Sequence, residues 1–341
     1  MSDGAAHPAF PVSGRHVLVT GGAGFIGSHL VDGLLARGAG RVTILDSLKY
    51  ANASHRSKPR DRVSVVRFTL GGEGGEDLAQ AMADVDLVFH LAAEKHNQSQ
   101  AEPRALLAAN IAGSYDLYQA AGRAGVQKLV FASSLYAYGR VSGPPMREGD
   151  LPAPATVYGI SKLAGEQLAA HARAKYGMPS LALRYFFVYG PRQFPGTGYK
   201  SVIVANFERL LRSEAPVIFG DGKQTLDYVY VDDVVDATIR AMESPLDGEV
   251  VNVGSAHAVS IEDLTRMMIE VSGKSIAPVY APADWTHGSS RVGDNRKIAA
   301  LLGWKPETPL REGLARTYRA MRDGSAGSAD SAGSAGSAVR P

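Results

Sequence analysis

The sequence predicts an α/β fold in which a doubly wound parallel sheet carries a smaller C-terminal lobe. Short apolar runs alternate along the chain with segments whose apolar residues recur every three or four positions. The runs are mostly apolar through their length, which is typical of strands covered on both faces. The chain has 341 residues, of which 45% are hydrophobic, so it can form one large core and an attached lobe.

The predicted strands and helices follow one another in the order that a doubly wound sheet requires. The strands are HVLVT (16–20), RVTILD (41–46), RVSVVRF (62–68), LVFHLA (87–92), KLVFAS (128–133) and LALRYFFV (181–188). Helical patterns such as GSHLVDGLLARG and AGSYDLYQAAGRAG separate them. A later helix starts within VYVDDVVDATIRAME (229–243), where Asp232 or Asp233 can act as the N-cap.

The chain is predicted to divide into a sheet domain, a substrate lobe and two tails. Glycine and proline break the strand–helix alternation after the sixth strand, and Gly, Ser and Ala dominate the last residues. The predicted parts are a loose tail at 1–14, a sheet domain at 15–190 with 227–256 returning to it, a substrate lobe at 191–226 and 257–322, and a flexible tail at 323–341.

Composition and charge exclude several classes of function. Lys and Arg number 36 against 34 Asp and Glu, a net charge of +2, which argues against nucleic-acid binding driven by bulk charge. The absence of cysteine excludes disulfides and a cysteine nucleophile, and the nine histidines lack metal-ligand spacing, so no metal is expected. There is no apolar run of membrane-spanning length and no secretory signal pattern, so a cytoplasmic location is expected.

A glycine-rich turn lies between the first strand and the first helix. Gly21 permits the tight turn, Gly24 lets the backbone approach a pyrophosphate, and Gly27 permits close packing of helix on sheet. The helix N-terminus offers N–H groups and a positive dipole end to phosphates. Asp46 ends the next strand, 19 residues after Gly27, where it can accept hydrogen bonds from ribose hydroxyls and repel a 2′-phosphate. The pattern predicts a Rossmann-type dinucleotide site that favours NAD over NADP.

A tyrosine and a lysine four residues apart form the candidate catalytic pair. Tyr158 and Lys162 share one helix face, and the ammonium group can lower the pKa of the phenol from about 10 towards neutral pH. Ser134 ends the KLVFASS strand at the carboxyl edge of the sheet, where ligands of open α/β sheets bind. Its hydroxyl can hydrogen-bond the substrate oxygen that gains or loses a proton.

With these features and further motifs, the chain resembles the extended short-chain dehydrogenase/reductase family, in its NAD-dependent nucleotide-sugar epimerase/dehydratase branch. The resemblance extends from about Arg15 to about Met321. The motifs that carry it are TGGAGFIG (20–27), HLAA (90–93), Asn110 in NIAGS, SSLYAYG (133–139), YGISK (158–162), RYFFVYGPRQ (184–193), YVYVDDVV (228–235) and LLGWKP (301–306).

The resemblance implies a mechanism, a cofactor and a substrate class. Tyr158 would act as acid and base on a sugar hydroxyl, usually at C4, Lys162 would hold the nicotinamide ribose, and Asn110 would brace the active-site helix. The residues expected to bind NAD are Gly21, Gly24, Phe25, Ile26, Gly27, Asp46, Leu91, Ala92, Ala93, Asn110, Tyr158, Lys162 and Tyr185. The residues expected to bind a nucleotide-activated sugar are Ser134, Leu135, Tyr136, Phe187, Arg192 and Arg291. Relatives are commonly dimers through a helical face, so a homodimer is expected.

One departure from the family pattern favours epimerisation. The 4,6-dehydratases that resemble this chain carry an Asp-Glu pair after the strand-end Ser or Thr, and sugar decarboxylases usually keep an acid there, whereas Leu135 and Tyr136 occupy these positions here. A 4-epimerase needs no additional acid or base. The alternatives are a dehydratase, decarboxylase or ketoreductase with a rearranged acid/base, which the dehydratase-like stretch HLAAEKHNQS keeps open, and a dinucleotide-binding sensor without catalysis.

Two further departures concern the substrate diphosphate. Phe187 and Leu226 replace an asparagine and an arginine that contact the phosphates in many relatives, which leaves Arg291, with Arg192 and Lys200, as the candidate phosphate ligands. Other positions have less defined roles. His96 and Asn97 are candidate substrate contacts. His90 is expected to pack behind the site, and Thr69 and Leu70 are the candidates near the adenine.

Overall fold

The structure is a computed structural model that describes residues 10–51, 61–72, 75–96, 101–139, 143–193, 200–284, 286 and 288–333. Asn97, residues 1–9 of the predicted N-terminal tail and residues 334–341 of the predicted C-terminal tail lie outside these ranges.

Strands and helices are numbered in chain order. The strands are β1 (His16–Thr20), β2 (Arg41–Asp46), β3 (Val63–Arg67), β4 (Leu87–His90), β5 (Lys128–Ser134), β6 (Ser180–Tyr185), β7 (Phe187–Tyr189), β8 (Val217–Phe219), β9 (Thr225–Leu226), β10 (Tyr228–Tyr230), β11 (Glu249–Val253), β12 (Val259–Ser260), β13 (Val279–Ala281) and β14 (Ser290–Arg291). The α-helices are α1 (Phe25–Ala36), α2 (Gly75–Ala81), α3 (Pro103–Leu107), α4 (Gly113–Ala124), α5 (Val157–Tyr176), α6 (Val202–Leu211), α7 (Val231–Glu243), α8 (Ile261–Ser272), α9 (Arg296–Leu302) and α10 (Leu310–Gly333). A π-helical turn (Ala108–Ala112) joins α3 to α4, and a 3₁₀ turn (Leu135–Ala137) follows β5.

Seven parallel strands form the central sheet in the order β11-β6-β5-β4-β1-β2-β3. This arrangement confirms the predicted doubly wound parallel α/β fold. The chain runs outward from β1 to β3 and then returns to β4 on the other side of β1. The carboxyl edge between β1 and β4 is therefore the switch point at which ligands of such sheets bind.

The sheet separates two apolar cores. The first lies against α1, α7 and α9 and contains, among others, Leu30, Val234 and Ile298. The second lies against α2, α4 and α5 and includes Leu117 and Phe131. Both faces of the sheet are covered, which explains why the strands are apolar through most of their length.

A third core forms the C-terminal lobe. It packs side chains of α6, α8 and α10 against short strands, with Phe207, Leu264 and Leu314 fully buried. Small sheets complete the lobe, with β12, β9 and β14 in one and β13 and β8 in another. Residues 296–304, predicted to belong to this lobe, differ from that assignment because Ile298 and Trp304 pack in the first core of the central sheet.

Two predicted strands differ from the structure, and one strand is additional. The strand at 87–92 ends at His90, because the amides of Leu91 and Ala92 donate to Thr20 and leave the ladder. The strand at 181–188 is two strands, since β6 stays in the central sheet while β7 pairs with β10. The seventh strand, β11, was not among the predicted strands, although its segment was assigned to the sheet domain.

Both tail predictions are corrected within the described residues. Phe10 and Val12 are buried in the first core, and the amide of Phe10 donates to the carbonyl of Glu243 at 3.3 Å. The apolar side chains of this segment cover the end of α7, so residues 10–14 are part of the fold. At the other end, α10 continues to Gly333. This stretch has as many glycines as alanines, so its composition does not favour a helix, and it is helical only as the continuation of a helix that is already nucleated.

None of the helices in the described ranges combines the length and apolarity that crossing a bilayer requires. Within those same ranges, no group of three or more His, Cys, Asp or Glu side chains could hold a metal ion.

Candidate active site

The glycine turn after β1 is built against the loop after β4. Gly21 has φ of 70°, and a Cβ there would lie 2.8 Å from the amide nitrogen of Ala92. A Cβ on Gly27 would collide with the carbonyl oxygen of Gly21. Gly24 is the N-cap of α1 and has no side chain to occupy the N–H groups of the first turn. The turn therefore requires glycine for its own packing and presents a helix N-terminus of the kind that binds phosphate.

Asp46 lies beside this turn at the end of β2. Its Oδ2 accepts a hydrogen bond from the amide of Ala23 at 3.0 Å, and its Oδ1 accepts one from the amide of Leu48 at 2.8 Å. Each carboxylate oxygen can accept a second hydrogen bond. Asp46 thus orders the turn and still has acceptor capacity for the hydroxyls of a ribose.

The loop after β2 is tied to the loop after β4 by Glu94. Its two oxygens accept from Lys49 Nζ at 3.0 Å and from the hydroxyl of Tyr50 at 2.9 Å. The Nζ of Lys95 lies 4.4 Å from the centre of the Tyr50 ring. Because β1 and its glycine turn lie between β2 and β4, this bridge crosses the switch point of the sheet.

The predicted catalytic residues meet at the end of β5. Ser134 lies beside Tyr158, close enough to influence its pKa, and Lys162 lies one turn further along α5 with its Nζ 5.7 Å from the centre of the Tyr158 ring. Lys162 donates to the carbonyl of Ala132 at 2.8 Å. Ser134, Tyr158 and Lys162 therefore form one constellation at the carboxyl edge, as the strand-end position and the helical spacing predict.

Burial dominates the ionisation of this constellation. It raises the pKa of Tyr158 to about 12, against a smaller lowering by the neighbouring Ser134 hydroxyl. It lowers the pKa of Lys162 to about 8, against a smaller raising by Glu166. The expectation that Lys162 would bring the pKa of Tyr158 towards neutrality is not met by the protein groups alone, because desolvation of the phenolate outweighs the lowering by Ser134.

Buried groups on both sides hold α5 in place. Thr156 caps the helix by accepting from the amide of Gly159 at 3.0 Å. Further along, Glu166 accepts two hydrogen bonds from Arg184 of β6, at 2.9 and 2.7 Å, and one from Ser133. This buried ion pair was not predicted, although its acid lies four residues after Lys162 on the same helix face.

Asn110 has the bracing position that the resemblance implies. Its amide group donates to Ser161 Oγ at 3.1 Å and to the carbonyl of Glu94 at 3.1 Å, and its oxygen accepts from the amide of Glu94 at 2.7 Å. The side chain is buried within the π-helical turn. It links the loop after β4 to Ser161 of α5, so one residue holds this loop and the helix of Tyr158 and Lys162 together.

Aromatic rings line the site next to Tyr158. The Tyr136 ring lies 5.6 Å from the Tyr158 ring and 4.4 Å from the His96 ring, and the guanidinium of Arg291 lies 5.4 Å from it. Burial and the nearby Arg291 lower the pKa of His96. The predicted substrate residues Tyr136 and Arg291 thus lie together beside Tyr158. Phe187 packs on Tyr228, with ring centres 5.9 Å apart.

Three predicted site residues have other surroundings. Leu135 is buried with Tyr138, Met146 and Phe186, so its side chain fills a core instead of lining the substrate site. The hydroxyl of Tyr185 bonds Thr238 at 2.7 Å within the first core, because residue 185 faces α7.

Arg192 is the third of these residues. It pairs with Asp32 of α1 at 2.7 Å, which places its guanidinium on α1. Lys200, a candidate phosphate ligand, donates to both oxygens of Glu208 on α6, at 2.8 and 2.6 Å.

A buried aspartate that sequence reasoning missed joins the lobe to the sheet. Asp227 accepts four hydrogen bonds, from the amides of Ser255, Ala256 and Gly293 and from the hydroxyl of Ser255. It lies between Leu226 of β9 and Tyr228 of β10 and is fully buried. The only signal was a charged residue inside an otherwise apolar run, LDYVYV.

Comparison with known proteins supplies the family context. The chain matches the model of the NAD dependent epimerase/dehydratase family over residues 17–254. A UDP-glucose 4-epimerase of Mycolicibacterium smegmatis is 36% identical over 315 residues, which are 90% of this chain and 99% of that protein. A dTDP-glucose 4,6-dehydratase of an Actinoplanes species is 31% identical over 322 residues, covering 90% and 98% of the two chains.

Solved structures agree with the sequence relatives. The crystal structure of UDP-glucose 4-epimerase with UDP-glucose from Thermotoga maritima has a TM-score of 0.84 and 36% identity, and covers 91% of this chain and 99% of that one. UDP-glucuronic acid 4-epimerase from Bacillus cereus, in complex with UDP-glucuronic acid and NAD, has a TM-score of 0.81 and 31% identity, and covers 90% and 99%. Both similarities extend over the sheet domain and the lobe.

Proposed function

Because the chain belongs to the NAD-dependent epimerase/dehydratase family, we propose that it is a sugar-nucleotide 4-epimerase, with a UDP-sugar as the substrate class. The observation that carries the proposal is the end of β5. Ser134 meets Tyr158 there, and the two following positions are Leu135 and Tyr136 instead of the carboxylates that elimination uses. One proton carrier at this edge is sufficient for oxidation and re-reduction at a single carbon.

The residues around the glycine turn fit NAD. Gly21, Gly24 and Gly27 keep the turn open to a pyrophosphate, and Asp46 would hold the ribose hydroxyls of the adenosine half. Lys162 and Asn110 would serve the nicotinamide half, Lys162 directly and Asn110 through the loop after β4. When bound, NAD supplies a hydride acceptor and a positive charge that favours the phenolate form of Tyr158.

The side chains of this chain manage the proton. Tyr158 would take the proton of the sugar 4-hydroxyl and return it to the 4-keto oxygen, while Ser134 donates a hydrogen bond to the same oxygen. Lys162 would keep a positive charge close to the phenolate. The apolar wall that Tyr136 and Phe187 contribute gives a keto sugar room to rotate without an additional acid that could promote elimination.

A 4,6-dehydratase is the second candidate, favoured by one observation. The His96 ring lies 6.0 Å from the Tyr158 ring, so an imidazole is available beside the proposed proton carrier. The lowered pKa of His96 would keep it neutral and able to act as a base. The imidazole would take the C5 proton, and the imidazolium so formed would give a proton to the departing 6-hydroxyl, so that one side chain would do the work of the missing carboxylate pair.

The two candidates differ in where hydrogen goes. We would incubate the protein with a panel of UDP- and dTDP-sugars in deuterated water and follow the products by NMR. Epimerisation returns the same hydride, so carbon-bound hydrogen stays unexchanged. Elimination typically incorporates solvent deuterium and yields a 4-keto-6-deoxy sugar. The epimerase proposal fails if wild-type protein forms that product, and Tyr158→Phe serves as the inactive control.

The proposal includes a homodimer. Tyr115 on α4, Ile160 on α5 and Leu107 at the end of α3 are large apolar residues that are 36%, 47% and 38% exposed. They lie on helices that pack together on one face of the sheet. Light scattering of the purified protein checks the state, and Ile160→Asp should shift a dimer towards monomer while Leu151→Asp, at an equally apolar but separate exposed position, should not.

A further inference from the structure

A buried chain of hydrogen bonds runs from the end of β1 towards the catalytic helix, through a histidine that the proposed mechanism does not use. Thr20, His90 and Ser114 are 0%, 0% and 1% exposed. Thr20 Oγ1 lies 2.8 Å from His90 Nδ1, and His90 Nε2 lies 2.9 Å from Ser114 Oγ. These three side chains connect β1, β4 and α4 directly behind the glycine turn.

The hydrogen bonds allow one arrangement of protons. The amide of Ala92 donates to Thr20 Oγ1 at 3.1 Å, and the amide of Leu91 shares its hydrogen between Thr20 Oγ1 at 3.1 Å and the Thr20 carbonyl at 3.2 Å. A hydroxyl oxygen accepts two hydrogen bonds and donates one, so the Thr20 hydrogen goes to His90 Nδ1. An accepting Nδ1 leaves the imidazole proton on Nε2, which donates to Ser114. The Ser114 hydroxyl then donates to the carbonyl of Asn110 at 2.7 Å.

The chain of hydrogen bonds continues to Tyr158 through Asn110. The side-chain amide of Asn110 donates to Ser161 Oγ, and Ser161 Oγ donates to the carbonyl of Tyr158 at 2.8 Å. At the opposite end, the amides that Thr20 holds belong to the loop that packs against Gly21. One end of the chain therefore lies at the cofactor turn and the other at the residue that moves the proton.

The surroundings of His90 keep its ring neutral. Its ring centre is 5.4 Å from that of Phe131, and the Nζ of Lys162 is 5.0 Å from the same Phe131 ring. The edge of Tyr118 covers another side, with ring centres 5.6 Å apart. Burial and the charge of Lys162 together hold the pKa of His90 at about 3. A second buried cation beside Lys162 would destabilise the fold. A neutral imidazole links the hydroxyls of Thr20 and Ser114 without adding a charge.

We propose that Thr20, His90 and Ser114 form a hydrogen-bonded relay in which each proton has a fixed position. This relay sets the position of Tyr158 and Lys162 relative to the cofactor turn. His90 is then a positioning residue for the reaction. The inference rests on the proposed 4-epimerase function for its kinetic consequence, because hydride and proton transfer require the sugar carbon, the cofactor and Tyr158 to keep one geometry.

The tautomer of His90 tests the proton order without any substrate. In protein labelled with ¹⁵N-histidine, the His90 signals are assigned by their loss in His90→Phe. We expect a proton on Nε2, a bare Nδ1 and no titration between pH 5 and pH 9. A proton on Nδ1, or titration within that range, would overturn the relay.

Variants that remove parts of the relay test its effect on catalysis. His90→Phe keeps a ring of similar shape and removes both nitrogens, and Ser114→Ala is a milder change at the other end. Each should lower kcat, His90→Phe by roughly 10- to 100-fold, while KM for the sugar nucleotide changes less than about twofold. The pH profile of kcat should also move, because the surroundings of Tyr158 change. His90→Asn, which keeps an acceptor for Thr20, should restore part of kcat.

Tyr118→Phe is the matched control, since it removes a buried hydroxyl from the same core without touching the relay. Should His90→Phe resemble it, with a lower melting temperature but an unchanged kcat and pH profile, His90 is only structural and the proposal is wrong. Should no nucleotide sugar turn over, the 4-epimerase function fails instead. Two measurements that need no turnover then test the relay. One is the tautomer of His90. The other is amide exchange at Leu91 and Ala92, which should accelerate in His90→Phe and not in Tyr118→Phe.

Discussion

Individual side chains of the site are tuned by burial more than by their charged neighbours. Lys162 donates a hydrogen bond to Ala132 of β5, and Tyr158 lies beside Ser134 of the same strand, so their positions depend on the strand end. The raised pKa of Tyr158 keeps the phenol protonated in the free protein. The site is therefore prepared to accept a proton only when additional positive charge favours the phenolate.

Removing the Tyr158 hydroxyl tests its role as the proton carrier. Tyr158→Phe should lose about 10²- to 10⁴-fold in turnover, which is the usual effect of removing a general acid/base. NAD binding should persist because the glycine turn is unchanged. Steady-state kinetics and calorimetry measure both quantities. Tyr138→Phe, which removes a buried hydroxyl bonded to Asn252 at 2.7 Å, is the control and should lose less than about tenfold. Near-normal turnover of Tyr158→Phe would contradict the mechanism.

Asp46 should determine which dinucleotide binds. Its carboxylate lies at the end of β2, and the next residues, Ser47 and Leu48, offer no positive charge for a 2′-phosphate. We expect NAD to bind more tightly than NADP by calorimetry, and Asp46→Asn to narrow the difference by removing the repulsion. A wild-type preference for NADP would show that the ribose lies elsewhere.

Local geometry explains which site residues could be predicted. Helical spacing brings Tyr158 and Lys162 to one face, and a strand end brings Ser134 to the sheet edge, so these positions follow from the sequence. The surroundings of Tyr185 and Arg192 depend on the bend at Phe186, where β7 leaves the central sheet to pair with β10. That bend is a tertiary event and has no local sequence signal.

At the scale of secondary-structure elements, loops after parallel strands carry the site, and tertiary hydrogen bonds hold these loops. Asp232 and Asp233 illustrate the same point for helix starts. They lie in the first turn of α7 after the N-cap Tyr230, and Asp233 accepts from the amides of Glu307 and Thr308, each at 3.1 Å. Asp233, which local sequence rules assign to the N-cap of α7, therefore bonds residues that are distant in the sequence.

The bridge between the loops after β2 and β4 should slow the release of NAD. Glu94→Ala removes the acceptor of both Lys49 and Tyr50, so the loops can separate more readily. We expect NAD dissociation to accelerate about two- to fivefold, which corresponds to the loss of a partly exposed ion pair. Stopped-flow fluorescence of NADH measures the rate. Glu102→Ala, an exposed acid before α3, is the control. Equal rates of NAD dissociation in the two variants would show that the bridge does not slow the release of NAD.

For the whole molecule, the described N-terminal segment contributes to stability although it lies far from the site in the fold. Phe10 is 8% exposed, and its ring lies 5.1 Å from the Nζ of Lys128, which caps the end of α7 through the carbonyls of Ala241 and Ser244. The sequence did not reveal this because a short apolar pair in a polar stretch resembles a tail.

Truncating Phe10 should therefore destabilise the protein. Phe10→Ala is expected to lower the free energy of unfolding by about 3 kcal/mol, the low end for a buried phenylalanine. Denaturant unfolding measures the change. Tyr280→Ala, at a residue that is 57% exposed, should change it by less than about 0.5 kcal/mol. If Phe10→Ala leaves the midpoint of denaturant unfolding unchanged, this segment does not contribute to stability and is a loose tail.

The junction of lobe and sheet should give the protein an unusual dependence on the substrate diphosphate. Leu226 is 4% exposed in the lobe core and Phe187 packs on Tyr228, so neither position offers a charge or an amide to phosphates. Arg192 and Lys200 are paired with Asp32 and Glu208. Arg291 remains the candidate beside Tyr136, and a bidentate guanidinium contact is well suited to phosphate.

Arg291→Ala should consequently weaken both UDP-sugar and free UDP by about one to two decades, the equivalent of roughly 1.5–3 kcal/mol for a charge-assisted hydrogen bond. The wild type should bind free UDP weakly relative to the intact substrate, because two of the phosphate contacts common in relatives are replaced by apolar groups. Calorimetric titrations of both ligands measure this. Arg311→Ala, which removes an exposed arginine paired with Glu270, is the control and should change neither affinity. If Arg291→Ala also changes neither, while the wild type binds UDP tightly, the phosphates are held by groups other than those assigned to this pocket.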